Sequence, residues 1–378
     1  MSENNSKYYS FVPLLNYAKS IDCPFIGIAG GKGNGKTYSI ILWALKEFLE
    51  NGRCLRYLRR YVESIRPKAI KSLCRPHIQT LINLTGGKYN YFHYFQNRFY
   101  LARREGDKVV EKYPEPFIVC SALNGVEAST GADEGDCSAI FYDEFLSREK
   151  ELDDEMYQLM IFQNNCIRNR TEHYTPTILV GNTVTRNSAL AKDFGVDLYK
   201  MKQGDINVIK NKKGEPRIVF EYCSAVEIMT EAGDTYYNRF DDNDRIKMIY
   251  KGEWTLGDYP HIAKQRLTGS TFLCRFKIIT PNDRAICFEF RQYSTSKVFG
   301  YVRVYDNDKL SKLCTLINKT QIFKYDTFNY LPQKGIFKKF IFLVFTKQVF
   351  FESCEVGEMF RDFLRTFKGC ENISMVYK

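Results

Sequence analysis

The sequence predicts an α/β domain built on an open sheet, followed by a smaller α+β domain. Three stretches carry that prediction. Phe25 to Leu49 reads as strand, glycine-rich turn and helix. Ser138 to Glu144 reads as a second apolar strand, ending in two adjacent carboxylates. The distal part, from about Ser270, combines alternating strands with a final amphipathic helix.

In the first stretch, Phe25 to Ala29 is apolar and partly β-branched. Gly30, Gly31, Lys32, Gly33, Asn34, Gly35, Lys36 and Thr37 then fit G-x-x-x-x-G-K-[ST]. Ile41, Leu42, Leu45, Phe48 and Leu49 follow at helical spacing. Glycines let the backbone wrap so that successive N–H groups point at a polyphosphate. The helix adds the positive end of its dipole. Lys36 reaches the β- and γ-phosphates, and the Thr37 hydroxyl ligates Mg²⁺. The expectation is a P-loop that binds a nucleoside triphosphate. Lys32 has two readings: a brace on the phosphates beside Lys36, or a side chain pointing across a subunit boundary.

A chain of 378 residues suggests two domains. The expected division is 1–205 for the nucleotide domain, 206–265 for a junction and 266–378 for the second domain. A hydrophobic content of 44% supplies ample core. The net charge of +11 suits a polyanion, and nucleic acid is the commonest, although a generic basic surface has the same sum. The 12 cysteines form no C-x-x-C, and His77, His93, His173 and His261 stand apart, so these residues give no metal site. The N-terminus carries no signal-peptide pattern, and the apolar run Phe340 to Phe345 is too short for a bilayer. A soluble, intracellular protein with no membrane partner is the expectation.

Taken in order, Met1 to Lys19 reads as a polar arm and short helix beside the nucleotide. Tyr8, Tyr9 and Phe11 there suit either a base or simple packing. Asn51-Gly52 marks a helix end. Arg53 to Tyr61 reads as the second strand, with Arg59 and Arg60 at its end. Those arginines either sense phosphate or a neighbouring subunit, or form a solvated basic edge. Ser64 to Leu84 looks helical but is interrupted by Pro67 and Pro76. Tyr91 to Val110 alternates around Gly106-Asp107 as a hairpin whose Arg98, Arg103, Arg104 and Lys108 suit nucleic acid, another subunit or plain solvent. Phe117 to Ala122 is a strand, and Asn124 to Gly135 a loop near the site.

Asp143 and Glu144 lie about a hundred residues after the glycine loop. Asp143 is placed to hold Mg²⁺, directly or through water. Glu144 is placed to orient and deprotonate the attacking water. This tandem points to an ATPase rather than a GTPase that positions water with Gln. Asp153 to Phe162 follows as a helix. Thr177 to Val180 is a further strand, running into Gly181-Asn182-Thr183. Asn182 either contacts the γ-phosphate or forms a turn. Arg168 and Arg170, just before that strand, suit either a finger that completes a neighbour's site or a surface ion pair.

Asp193 to Lys251 reads as short elements, and Gly252 to Gly269 as a linker. In the second domain, Cys287 to Gln292 and Val298 to Tyr305 alternate as neighbouring strands. Phe340 to Phe345 and Gln348 to Phe351 are further strand candidates. Val356, Met359, Phe360, Phe363, Leu364 and Phe367 mark the final helix.

Several stretches in order, GGKGNGKTYS, YLRRY, NRFYLARREG, IFYDEFLSREKE, IRNR and ILVGNTVTRN, resemble the DNA-encapsidation ATPases of small protein-primed tailed phages. The resemblance covers about Phe25 to Asn187, and D-E-F with R-E-K and R-N-R are its most specific parts. It implies an ASCE-type, RecA-like P-loop ATPase domain followed by a small, RNase H-like, non-catalytic domain that grips DNA. It implies ATP and Mg²⁺ as cofactors, with Lys36 and Thr37 as Walker A, Asp143 as Walker B and Glu144 as catalytic glutamate. Arg168 would be the finger acting in trans. It implies a homopentameric ring on the portal of a procapsid in the host cytoplasm, pumping double-stranded DNA, with a packaging RNA as an optional further partner. The chain departs from the family after R-R-Y, where Val62 and Glu63 stand in place of a basic residue.

Three functions compete. The first is this packaging motor. The second is a large-terminase-like protein whose distal domain cuts DNA through Glu289, Asp306, Asp308 or Glu352. The third is a small-molecule kinase or NTP switch, against which the basic charge and the Asp143–Glu144 pair both speak.

Overall fold

The computed structural model describes residues 9–125, 136–146, 152, 154–167, 173–184, 186, 188–223, 259–260, 267–280, 285–293, 297–305, 314–317, 321–322, 326–327 and 333–366. The chain divides into two compact units, Met1–Arg186 with Leu190–Trp254, and Asn187–Ala189 with Thr255–Lys378.

The first unit runs α1 (Val12–Ser20), β1 (Phe25–Gly30), α2 (Lys36–Asn51) and β2 (Cys54–Arg59). Two 3-10 turns and two short helices follow, α3 (Pro67–Ile70) and α4 (Ile78–Leu84). Pro67 opens α3 and Pro76 lies in the Arg75–His77 turn, so the prolines punctuate this stretch as expected. Next come β3 (Tyr91–Phe95), β4 (Arg98–Glu105), β5 (Lys108–Lys112), β6 (Ile118–Ala122) and β7 (Cys137–Asp143). The unit closes with α5 (Glu155–Ile167), β8 (Thr177–Asn182), α6 (Ala189–Phe194), β9 (Ile206–Lys210) and β10 (Pro216–Tyr222).

All ten strands form one sheet in the order β3-β4-β6-β2-β7-β8-β1-β10-β9, with β5 paired to β4. The six strands from β6 to β10 in that order are mutually parallel. β1 and β7 are buried on both faces, as a covered parallel sheet requires. Ile40, Ile41, Ala44, Leu45 and Phe48 pack α2 onto one side. Gly52, at φ 72°, closes α2 by donating its N–H to the Phe48 carbonyl.

Two expectations change here. The stretch 91–110 is a three-stranded meander rather than one hairpin, because the chain also reverses at Gln96 and Asn97, with φ of 47° and 59°. β9 and β10 fall within 206–265, read as a junction, yet β10 pairs with β1 from Phe25 to Ala29. Its PRIVFEY sequence carries enough apolar surface to complete the sheet beside the glycine loop. Most of the loop 124–135 lies outside the described residues.

The second unit holds β11 (Thr271–Ile279), β12 (Ala285–Gln292), β13 (Val298–Val304), β14 (Cys314–Ile317), β15 (Gln321–Ile322), β16 (Asp326–Thr327), α7 (Gln333–Phe345), β17 (Val349–Phe351) and α8 (Cys354–Thr366). β11, β12 and β13 are antiparallel neighbours, β14 is parallel to β11, and β17 is parallel to β13. Phe288 meets Phe340 of α7 and Phe360 of α8 at ring-centroid distances of 4.9 and 5.8 Å, so both helices cover one face of the sheet. The run 340–345 is thus helix, not strand. Periodicity cannot separate the two in so short an apolar run, but Phe340, Leu343 and Val344 are buried at i, i+3, i+4 spacing while Phe342 and Phe345 are exposed. β11, an alternating strand of its own, escaped the sequence reading. Among the described residues no helix is long and apolar enough to cross a membrane.

Candidate functional site

Parallel strands deliver their C-terminal ends to one edge of the sheet, where an open α/β fold places its ligands. Here Gly30 of β1 lies opposite Asn182 of β8, Asp143 of β7 opposite Val180, and Leu58 of β2 opposite Tyr142. The register alone therefore gathers the glycine loop, Asn182, the carboxylate pair and Arg59.

Gly33 and Gly35, at φ 83° and 94°, supply the left-handed turns that wrap the loop before α2 starts at Lys36. Lys36 is 4% exposed. It donates to the Gly30 carbonyl at 3.0 Å, the Gly31 carbonyl at 2.7 Å and Asn34 Oδ1 at 3.0 Å, with Asn182 Oδ1 at 3.4 Å. Lys36 and Asn182, 146 positions apart, thus meet. Burial pulls the Lys36 pKa down to about 8, against the raising influence of Cys223 and Asp143. Thr37 is half-buried one residue along α2, and Lys32 is exposed on the loop.

Asp143 is buried at the end of β7. Its Oδ2 accepts from the Tyr57 hydroxyl at 3.0 Å and lies 4.0 Å from Arg59 Nη1, while Oδ1 accepts the Glu144 backbone N–H at 3.1 Å. Burial pushes the Asp143 pKa up, partly offset by Arg59. Glu144 adopts a left-handed φ of 61°, a conformation that costs a side-chain-bearing residue about 1 kcal/mol or more and turns the chain out of the strand. Its half-exposed carboxylate pairs with Arg59 Nη2. Arg59 also donates to the Tyr57 hydroxyl at 3.3 Å. Burial works against its charge, but Tyr57, Glu144 and Asp143 outweigh that and hold the guanidinium pKa above its usual value. One guanidinium therefore spans both candidate catalytic carboxylates, which replaces the solvated-edge reading of Arg59.

Arg60 points to the other side of β2. It is buried against Glu155 at 2.9 and 3.0 Å, and donates to the Phe145 carbonyl at 2.6 Å. Glu155 also accepts from Tyr142 at 2.6 Å and from the Leu152 N–H at 3.1 Å. This buried cluster fixes the turn that follows Glu144. Gly181 completes the fit, since a Cβ there would lie 2.6 to 2.8 Å from Leu146.

The N-terminal arm braces the loop from outside. The Tyr9 N–H donates to the Asn34 carbonyl at 3.0 Å and its hydroxyl to Glu221 at 2.7 Å, while Phe11 is buried beside Trp43. Packing is therefore the role of Phe11. Tyr8, Arg168 and Arg170 lie outside the described residues. Sequence reasoning missed Tyr57 and the pairing of Arg59. The signal was there, since residues two apart on a strand share a face and Tyr57 precedes Arg59 by two.

Among solved structures, a chain of the bacteriophage Phi-29 viral genome packaging motor assembly aligns with a TM-score of 0.53 at 16% identity, over 95% of this chain and 100% of that one. The two chains share a fold. The Phi-28 gp11 DNA packaging motor aligns at a TM-score of 0.49 and 15% identity, over 98% of this chain and 97% of that one. The N-terminal domain of the DNA packaging ATPase from bacteriophage phi29 aligns at 0.46 and 17%, over 59% of this chain and 100% of that one. No family model and no curated protein matches the chain. The fold implied by the resemblance in the sequence and the fold shared with that motor chain agree. The residues quoted for that resemblance as Walker A and Walker B are those the sheet gathers at its edge.

Proposed function

We propose that the chain is an ATP-driven motor that packages viral double-stranded DNA into a preformed capsid. The carrying observation is the convergence of Lys36, Asp143, Glu144 and Asn182 at the sheet edge beside the glycine loop. A polyphosphate lying in that loop places its terminal phosphate against Lys36 and Asn182. The oxygen donors of Thr37 and Asp143 suit Mg²⁺, a hard cation. Bound there, Mg²⁺ would neutralise charge on the β- and γ-phosphates. Glu144 activates water once Arg59 releases its carboxylate, and the asparagine amide reads the γ-phosphate. The strand β8 inserted between β1 and β7 suits an ASCE-type sheet.

The second unit grips DNA. Three antiparallel strands, with β14 parallel to the first of them, suit an RNase H-like fold. Away from the helices, its sheet carries Lys277 and, around the single carboxylate of Glu289, Arg275, Arg291 and Arg303, an excess of positive charge for phosphates. The non-cutting reading is favoured by Glu289. That buried carboxylate is engaged by Arg291 at 2.5 Å, Arg303 at 2.8 Å and Arg275 at 3.9 Å, so it is not available to a metal. Asp306 and Asp308 lie outside the described residues. In this reading the protein works as a homopentameric ring at the portal of a procapsid in the host cytoplasm, with Arg168 completing a neighbour's site.

The test is ATPase rate against double-stranded DNA across salt concentration. Stimulation that falls steeply with salt is the expected result. Hydrolysis indifferent to both DNA and procapsids would overturn the reading.

A further inference from the structure

The nucleotide site makes no use of the outer face of the β3–β4–β5 meander. Tyr91, His93 and Phe95 alternate along β3, so their rings stand on one side of the sheet. Across the ladder they face Ala102, Tyr100 and Arg98. Lys112 of β5 joins the same side opposite Ala102. The other side sends Phe92, Phe99 and Leu101 into the core.

The outer face is aromatic and basic together. The rings of His93 and Phe95 lie 16° from parallel with centroids 6.2 Å apart. Lys112 Nζ sits 4.0 Å over the Tyr100 ring, and the Arg104 guanidinium 5.1 Å over the Tyr91 ring while pairing with Asp107 of the turn. The strand positions on this side carry no carboxylate. Burial first, then Lys112 and Lys71, hold the His93 imidazole below its usual pKa. Phe95 is 50% exposed, and Arg98 is exposed beside it.

A duplex hides the faces of its bases, so exposed rings gain nothing from it. Unpaired bases stack on aromatic side chains while cations hold the phosphates between them. We propose that this face binds unpaired nucleotides, of RNA or of single-stranded DNA, stacking bases on Phe95 and His93 and holding phosphates with Arg98 and Lys112. The proposal is independent of the packaging reading.

Fluorescence anisotropy of the full chain with a labelled oligouridylate, a labelled oligothymidylate and a blunt DNA duplex, at one salt concentration, tests it. Phe95→Ala and His93→Ala are each expected to weaken single-strand binding by roughly tenfold, with duplex and ATP affinity unchanged. Phe95→Trp is expected to retain or tighten binding, which separates ring loss from misfolding. The tighter of the two single strands identifies the source. The proposal falls if the parent chain binds neither strand, or if Phe95→Ala binds them as the parent does. It also falls if that variant loses duplex and single-strand affinity equally, or changes only the oligomeric state, which would make the face a subunit contact.

Discussion

At the scale of single residues, the site is governed by how few charges are left unpaired. Lys36 is the clearest case. With its pKa near 8 against 10.5 for a free lysine, the folded chain has lost a proton that the unfolded chain still holds between those values, so stability rises with pH across that window. A triphosphate favours the charged ammonium, so nucleotide binding at a pH above 8 should take up a proton. Calorimetry in buffers of different ionisation enthalpy measures this, and binding enthalpies independent of buffer would count against it. Arg59 makes the second case. Arg59→Ala leaves two adjacent carboxylates without their cation, which raises Asp143 further. The acidic limb of the ATPase pH profile should then move to higher pH, and Glu144→Gln should bind ATP yet fail to hydrolyse it. Normal turnover in Glu144→Gln would remove the general base from the mechanism. Lys36, Asp143 and Glu144 were legible because a motif names them. Tyr57 and the Arg59 pairing were not, since the partners come from β2 and β7, whose adjacency only the folded sheet sets.

At the scale of elements, the turn after β7 is held by the ion pair of Arg60 with Glu155, whose side chains are 5% and 2% exposed. Removing one member strands a buried charge. Glu155→Ala should cost about 3–5 kcal/mol in a urea melt of the whole protein. A loss below about 1 kcal/mol would mean that water reaches the arginine. Strands and helices with clear period were readable, as β1, α2, β7 and α8 were. Two failures have physical causes. Gln96 enters a left-handed turn with no glycine to announce it, and the apolar run of α7 gives one pattern for strand and helix alike.

At the scale of the whole molecule, composition revealed a basic chain but not where its charge is balanced. Glu289 had been a candidate metal ligand, and its placement among three arginines shows why isolated acids carry little meaning without their neighbours. Plasmid DNA incubated with the protein and Mn²⁺ should stay uncut, and nicking that Glu289→Gln abolishes would restore the nuclease reading. Arg168→Ala should bind ATP without turnover, and mixing it with Glu144→Gln should recover some activity at shared interfaces. Full hydrolysis by Arg168→Ala alone would end the finger assignment. The domain boundary was the least legible feature, because β10 joins the sheet beside β1, a strand far upstream in sequence.

Gly181 gives the site a mechanical property. With Leu146 filling the space where its side chain would stand, the turn behind Glu144 and the strand ending in Asn182 mesh like teeth with no play between them. In the proposed cycle, displacement of the turn when the glutamate is freed would move the asparagine, and loss of the γ-phosphate would move the turn in reverse. A gear without backlash transmits small strokes faithfully. Enlarging that one position should therefore jam the cycle while leaving each half of the site chemically whole.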